Sequence, residues 1–118
     1  GLFLLLVGVV MAALLVGCSS SKESSGNGKS GGKKIKVGFA IKTQDSPYFV
    51  TLVKAVEKYA KKEGWELTVL DANGDTAKEA ENMETFITQG MDLIFLDCIE
   101  PDAAVPSINK AKEAGIGV

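Results

Sequence analysis

Four consecutive apolar residues, Leu93 to Leu96, stand between two aspartates in "DLIFLD". A strand with one wet face alternates apolar and polar residues, whereas a parallel strand covered on both faces is apolar throughout. The run is also too short for an ordinary helix. It predicts a strand over 92–97 that is buried from both sides. Parallel strands need crossover connections, usually helices, so the flanking sequence has to provide them.

It does so in alternation. In "KIKVGFAI" (34–41) Ile35, Val37, Phe39 and Ile41 fall on one face, and the small Gly38 and Ala40 on the other. Small residues suit coverage on both faces, which predicts a central strand. Ser46-Pro47 then marks a helix start, because serine can satisfy free amides and proline fits the first turn. Phe49, Leu52, Val53, Val56 and Ala60 recur at helical spacing up to Gly64. Lys61 and Lys62 suit the negative end of that helix, and glycine suits its stop. A second strand is expected over 65–71 and a turn at "ANGD". A second helix follows, with Thr76 and Glu79 at capping-box spacing and Ala80, Met83 and Ile87 as its buried stripe. Asp102 is expected to cap a third helix through Val105, Ile108 and Ala111, with Pro106 tolerated near its start. Residues 116–118 open a fourth strand. The pattern specifies an α/β fold, an open parallel sheet with helices on both faces. Ligands of such sheets bind beyond the carboxyl ends of the strands, which singles out the loops at 42–46 and 98–101.

The first 33 residues belong to a different regime. Residues 1–17 carry no charged side chain. The run is shorter than the roughly 20 residues a membrane-crossing helix needs and matches the apolar core of a secretory signal. The basic opening of such a signal is expected upstream of Gly1. Leu15-Val16-Gly17-Cys18 resembles the bacterial lipobox, in which the cysteine thiol accepts a diacylglyceryl group and the small residue before it admits the peptidase. Cys18 is thus the expected lipidation site, holding the protein on the extracytoplasmic face of a cell membrane, with each buried methylene worth about 0.8 kcal/mol. Between it and Lys34, "SSSKESSGNGKSGGKK" has nothing to bury and reads as a tether. The expected organisation is a signal over 1–17, a lipidated cysteine and tether over 18–33, and a partial amino-terminal lobe over 34–118.

Composition removes several functions. All 13 basic residues are lysines, there is no histidine, and the net charge is −2. That is no footprint for nucleic acid, and no nucleic-acid partner is expected. Without histidine, Ser-His and Cys-His nucleophiles are excluded from this segment. Zinc lacks its usual ligands, because Cys98 stands alone once Cys18 carries lipid. Gly28-Lys29-Ser30 resembles the end of a phosphate loop, but position 23 is Glu where glycine is required. "DANGDTAKEAEN" spaces oxygens somewhat like a calcium loop, yet Thr76 and Asn82 occupy the places of its glycine and glutamate. No cofactor or metal is expected.

From residue 34 onward the chain resembles a ribose-type periplasmic binding protein, the substrate-binding subunit of a sugar ABC importer. The resemblance rests on "KVGFAIKTQDSPYFVTLVKAVEKYAKKEGWEL", "VLDANGDTAKEAENMETFITQGMDLIFLD" and "PDAAVPSINKAKEAGIGV", in that order. It implies a non-enzymatic, two-lobed receptor that closes on a monosaccharide and delivers it to an ABC permease. A sensor feeding a chemoreceptor or kinase, or a surface lipoprotein enzyme with its catalytic residues elsewhere, are the alternatives. The resemblance places Ser46, Pro47, Tyr48 and Phe49 at the cleft. An aromatic ring there covers the C–H face of a sugar while polar groups bond its hydroxyls. Ser46 stands where several relatives have Asn or Asp, and capping alone would also account for it. Phe49 continues the buried stripe. Asp97, closing the third strand, is a further ligand-binding candidate. The family's Asp-Arg pair and second lobe would follow the fourth strand. Half of a clamp that closes by hinge motion is expected to bind sugar weakly or not at all.

Overall fold

The computed structural model describes residues 34–118. The expected signal, Cys18 and the tether lie outside the described residues.

Three strands and three helices alternate: β1 (Lys36–Ile41), α1 (Pro47–Glu63), β2 (Glu66–Asp71), α2 (Thr76–Thr88), β3 (Leu93–Leu96) and α3 (Pro101–Glu113). The sheet has the order β2-β1-β3, and both pairings are parallel. In register, Phe39 lies between Val69 and Phe95, and Ala40 between Leu70 and Leu96. The first strand is central, as its small residues predict.

Alternate side chains of β1 enter two separate cores. Phe39 and Ile41 pack with Val53 of α1, flanked by Phe49, Leu52 and Val56. Ala40 packs with Met83 and Phe86 of α2, Ile94 of β3 and Ala111 of α3. Helices therefore cover both faces, α1 on one and α2 with α3 on the other. The topology explains this division. The chain moves from β1 to β2 on one side, then back across β1 to β3. Two right-handed crossovers running in opposite directions have to use opposite faces.

Several local expectations are corrected. Ile35 precedes the strand and is 48% exposed, outside the core face assigned to it. The cap of α2 is Asp75, whose Oδ1 accepts from Ala77 N at 2.8 Å and from Lys78 N at 3.4 Å. Thr76 is already the first helical residue, so no Thr76–Glu79 capping box forms. A carboxylate one residue earlier reaches the same free amides. The buried stripe of α2 is Glu79, Asn82, Met83 and Phe86, with Ile87 half-buried and Ala80 exposed. The helix turns its largest side chains, not its alanine, onto the sheet. The residue preceding α3 is Glu100, which makes no side-chain cap bond, and Asp102 lies within the first turn. In β3 only Ile94 is fully buried, with its neighbours half-buried. Coverage of both faces of β3 is thus incomplete among the described residues. The fourth strand is represented by one parallel bridge, Leu93 to Gly117.

Candidate functional site

The reversal of strand order creates a crevice. The loop after β1 turns toward the α1 face and the loop after β3 toward the α3 face. The carboxyl ends of these adjacent strands are consequently the place where the chain parts. Lys42 and Asp97 are the first residues beyond the two strand ends.

The segment after β3 continues the pairing for one more bond, from Asp97 N to Ala40 O at 2.9 Å. This brings the Asp97 carboxylate toward β1, where its Oδ1 lies 3.9 Å from Lys42 Nζ. Both side chains are about one-third exposed, at 36% and 29%. The Lys42 ammonium also lies 5.3 Å from the centroid of the Phe49 ring, within cation–π range. Phe49 in turn meets Tyr48 edge-to-face, with centroids 5.2 Å apart and planes at 83°. Phe49 is half-buried against the α1 core, whereas Tyr48 is 71% exposed. Asp97 Oδ2 is buried with no hydrogen-bond partner among the described residues.

The loop after β1 is held from the β2 side. Gln44 Nε2 donates to Asp71 Oδ2 at 3.1 Å, and Gly74 N donates to Lys42 O at 2.8 Å. Asp71 Oδ1 accepts from Asn73 N at 2.7 Å, which supports the left-handed backbone of Asn73, φ 50°. Asparagine tolerates that conformation better than most residues. Two hollows flank the site. One, of about 460 Å³, lies on the outer side of α1 against Pro47, Tyr48, Thr51 and Leu52. The other, of about 400 Å³, follows β3 past Phe95, Asp97, Cys98 and Val118.

Of the residues expected at the site, Tyr48, Phe49 and Asp97 are linked in one chain of contacts through Lys42. Ser46 occupies the N-cap position of α1 in an extended conformation, φ −135°, but its side chain makes no cap bond. Capping therefore does not account for the serine. Lys42 and Gln44 were not singled out from the sequence. The signal available was position alone, since both fall in the loop that follows a central parallel strand.

Residues 37–118 match the family described as periplasmic binding protein domain. The chain belongs to this family. Relatives of this periplasmic-binding-protein chain include the ribose import binding protein of Bacillus subtilis (strain 168), 31% identical over 111 residues, which cover 89% of this chain and 35% of the relative. Among solved structures, an ABC transporter solute-binding protein from Mycobacterium smegmatis with bound glycerol superposes with a TM-score of 0.69 and 36% identity, covering 71% of this chain and 29% of the other. The binding-protein component of the arabinose ABC transporter from Shewanella sp. ANA-3, bound to α- and β-L-arabinofuranose, gives a TM-score of 0.66 and 28% identity. There the match covers 69% of this chain and 27% of that one. The chain spans about a third of the length of the B. subtilis relative.

Proposed function

We propose that the full-length protein is an extracytoplasmic receptor that binds a monosaccharide or related polyol and passes it to an ABC-type import permease. Membership of the family supports this, as do the sugars in the structures it resembles. The observation that carries the reading is the grouping of Tyr48 and Phe49 with the Lys42–Asp97 pair at the switch point of the sheet. An aromatic ring offers a surface for the apolar face of a sugar ring. A lysine donates to hydroxyl oxygens and a carboxylate accepts from hydroxyl hydrogens. Ser46, adjacent to the aromatic pair and free of a capping role, adds a hydroxyl on the same rim. Nothing in this arrangement calls for a cofactor.

Thermal-shift and calorimetric titration of the full-length protein against pentoses, hexoses and inositols tests the reading. Saturable stabilisation by one of them is expected, and a protein indifferent to all of them would contradict it. The same proposal places a lipid on Cys18, with residues 19–33 as the tether, at the outer face of the membrane. Metabolic labelling with a fatty-acid probe should mark Cys18 and leave a Cys18→Ala variant unlabelled. Delivery to a permease rather than to a signalling partner predicts that deleting the gene abolishes uptake of the bound sugar.

A further inference from the structure

The first turn of α2 buries a carboxylate that the sequence pattern does not require. Glu79 is 4% exposed and shares its face with Met83 and Phe86, which are apolar. Among the described residues no lysine ammonium forms an ion pair with it. A buried carboxylate is costly unless hydrogen bonds replace its water. The bond that does so leaves the helix: Glu79 Oε2 accepts from Ile99 N at 2.9 Å, across 20 residues of sequence. Glu79 also lies in the first turn of α2, against the segment leading into α3. Helix amino termini attract negative charge.

That bond completes a pair. The segment after β3 is fixed upstream by Asp97 N donating to Ala40 O at 2.9 Å, and downstream by Ile99 N donating to Glu79. Asp97 and Cys98 are confined between the two. Glu100, the N-cap residue of α3, supplies no side-chain bond of its own to hold this turn. We propose that Glu79 is a positioning residue of the ligand site: by holding Ile99 it sets the direction of the Asp97 carboxylate, whose Oδ2 has no partner among the described residues. This deepens, and rests on, the sugar-binding reading of the same site.

Two substitutions in the full-length protein separate positioning from packing. Glu79→Met keeps the length of the side chain, fills the same space and removes the oxygen acceptor. Glu79→Gln keeps an acceptor oxygen. Glu79→Met should weaken the best-binding sugar roughly tenfold or more, the scale of one hydrogen bond to a charged group. Its melting temperature should be unchanged or raised. Exchange of the Ile99 amide proton should accelerate in Glu79→Met, and Glu79→Gln should restore both affinity and protection. Wild-type affinity in Glu79→Met, an Ile99 amide equally protected with and without the carboxylate, or a Glu79→Gln variant as impaired as Glu79→Met would each overturn the proposal. If the unaltered protein binds no sugar while Ile99 protection still depends on residue 79, the function assigned to the site fails and the hold on the segment stands.

Discussion

Gly38 lies against the face of a phenylalanine. A Cβ built on it would stand 2.8 Å from three ring atoms of Phe86, inside any real contact distance. The ring is fully buried and cannot swing away without vacating the core. Gly38→Ala should therefore cost about 1–3 kcal/mol of stability by urea denaturation, the scale of an overpacked core. Adding Phe86→Leu should recover part of that loss, because the two residues share one contact. Lys42 makes the opposite case. Its pairing with Asp97 is long and partly solvated, and such pairs contribute about 0–1 kcal/mol to folding. Lys42→Met keeps the stem over Phe49 and removes the donor. We expect a melting temperature within a few degrees of wild type and sugar affinity reduced about tenfold in calorimetry. An unchanged affinity would take Lys42 out of the site. Small residues on one face of β1 were visible in the sequence. The partner that requires them, 48 residues later in the chain, was not.

At the level of elements, sequence spacing located each helix and strand but misjudged how some of them begin. For α2 the spacing of Thr76 and Glu79 imitates a capping box, while the chain uses Asp75. Asp75→Ala should destabilise the fold by about 1 kcal/mol, the usual worth of an N-cap. Thr76→Ala should change stability by less than about 0.5 kcal/mol, as surface substitutions generally do. Equal costs at the two positions would restore the capping box. The imitation fails because Glu79 is occupied elsewhere: its carboxylate turns inward to Ile99 instead of back along its own helix. The same residue shifts the buried stripe, for a helix that points Glu79, Met83 and Phe86 at the sheet leaves Ala80 in water. By contrast, Gly64 was legible as a stop because of its backbone. It takes φ 74°, a conformation glycine adopts without penalty, and α1 closes with backbone N–H groups donating to the Ala60 and Lys61 carbonyls.

For the whole molecule, the described unit is one sheet with a crevice along its carboxyl edge. In the proposed function a sugar is enclosed between two lobes that close by hinge motion. Residues 34–118 alone present one wall of such an enclosure. Titrated with the sugar that the full-length protein binds, this unit should show little or no heat, and micromolar or tighter affinity would contradict the clamp. Much of the candidate site was legible before the structure. Tyr48 and Phe49 were marked by the family resemblance, and Asp97 by its place at the end of the third strand. Lys42 was marked only as part of the 42–46 loop, and Glu79 was read as half of a capping box, because its actual partner, Ile99 N, lies 20 residues away in sequence.

The sequence by itself determined the order of strands and helices, their parallel pairing and the edge at which a ligand would meet them. Those properties follow from local periodicity and from the chirality of the chain. Only the tertiary structure decided which helix covers which face, that Phe86 lies on Gly38, and that Lys42, Phe49 and Asp97 converge. Each of those depends on a side chain meeting a partner far away in sequence, and local pattern carries no information about the distance or direction of that meeting.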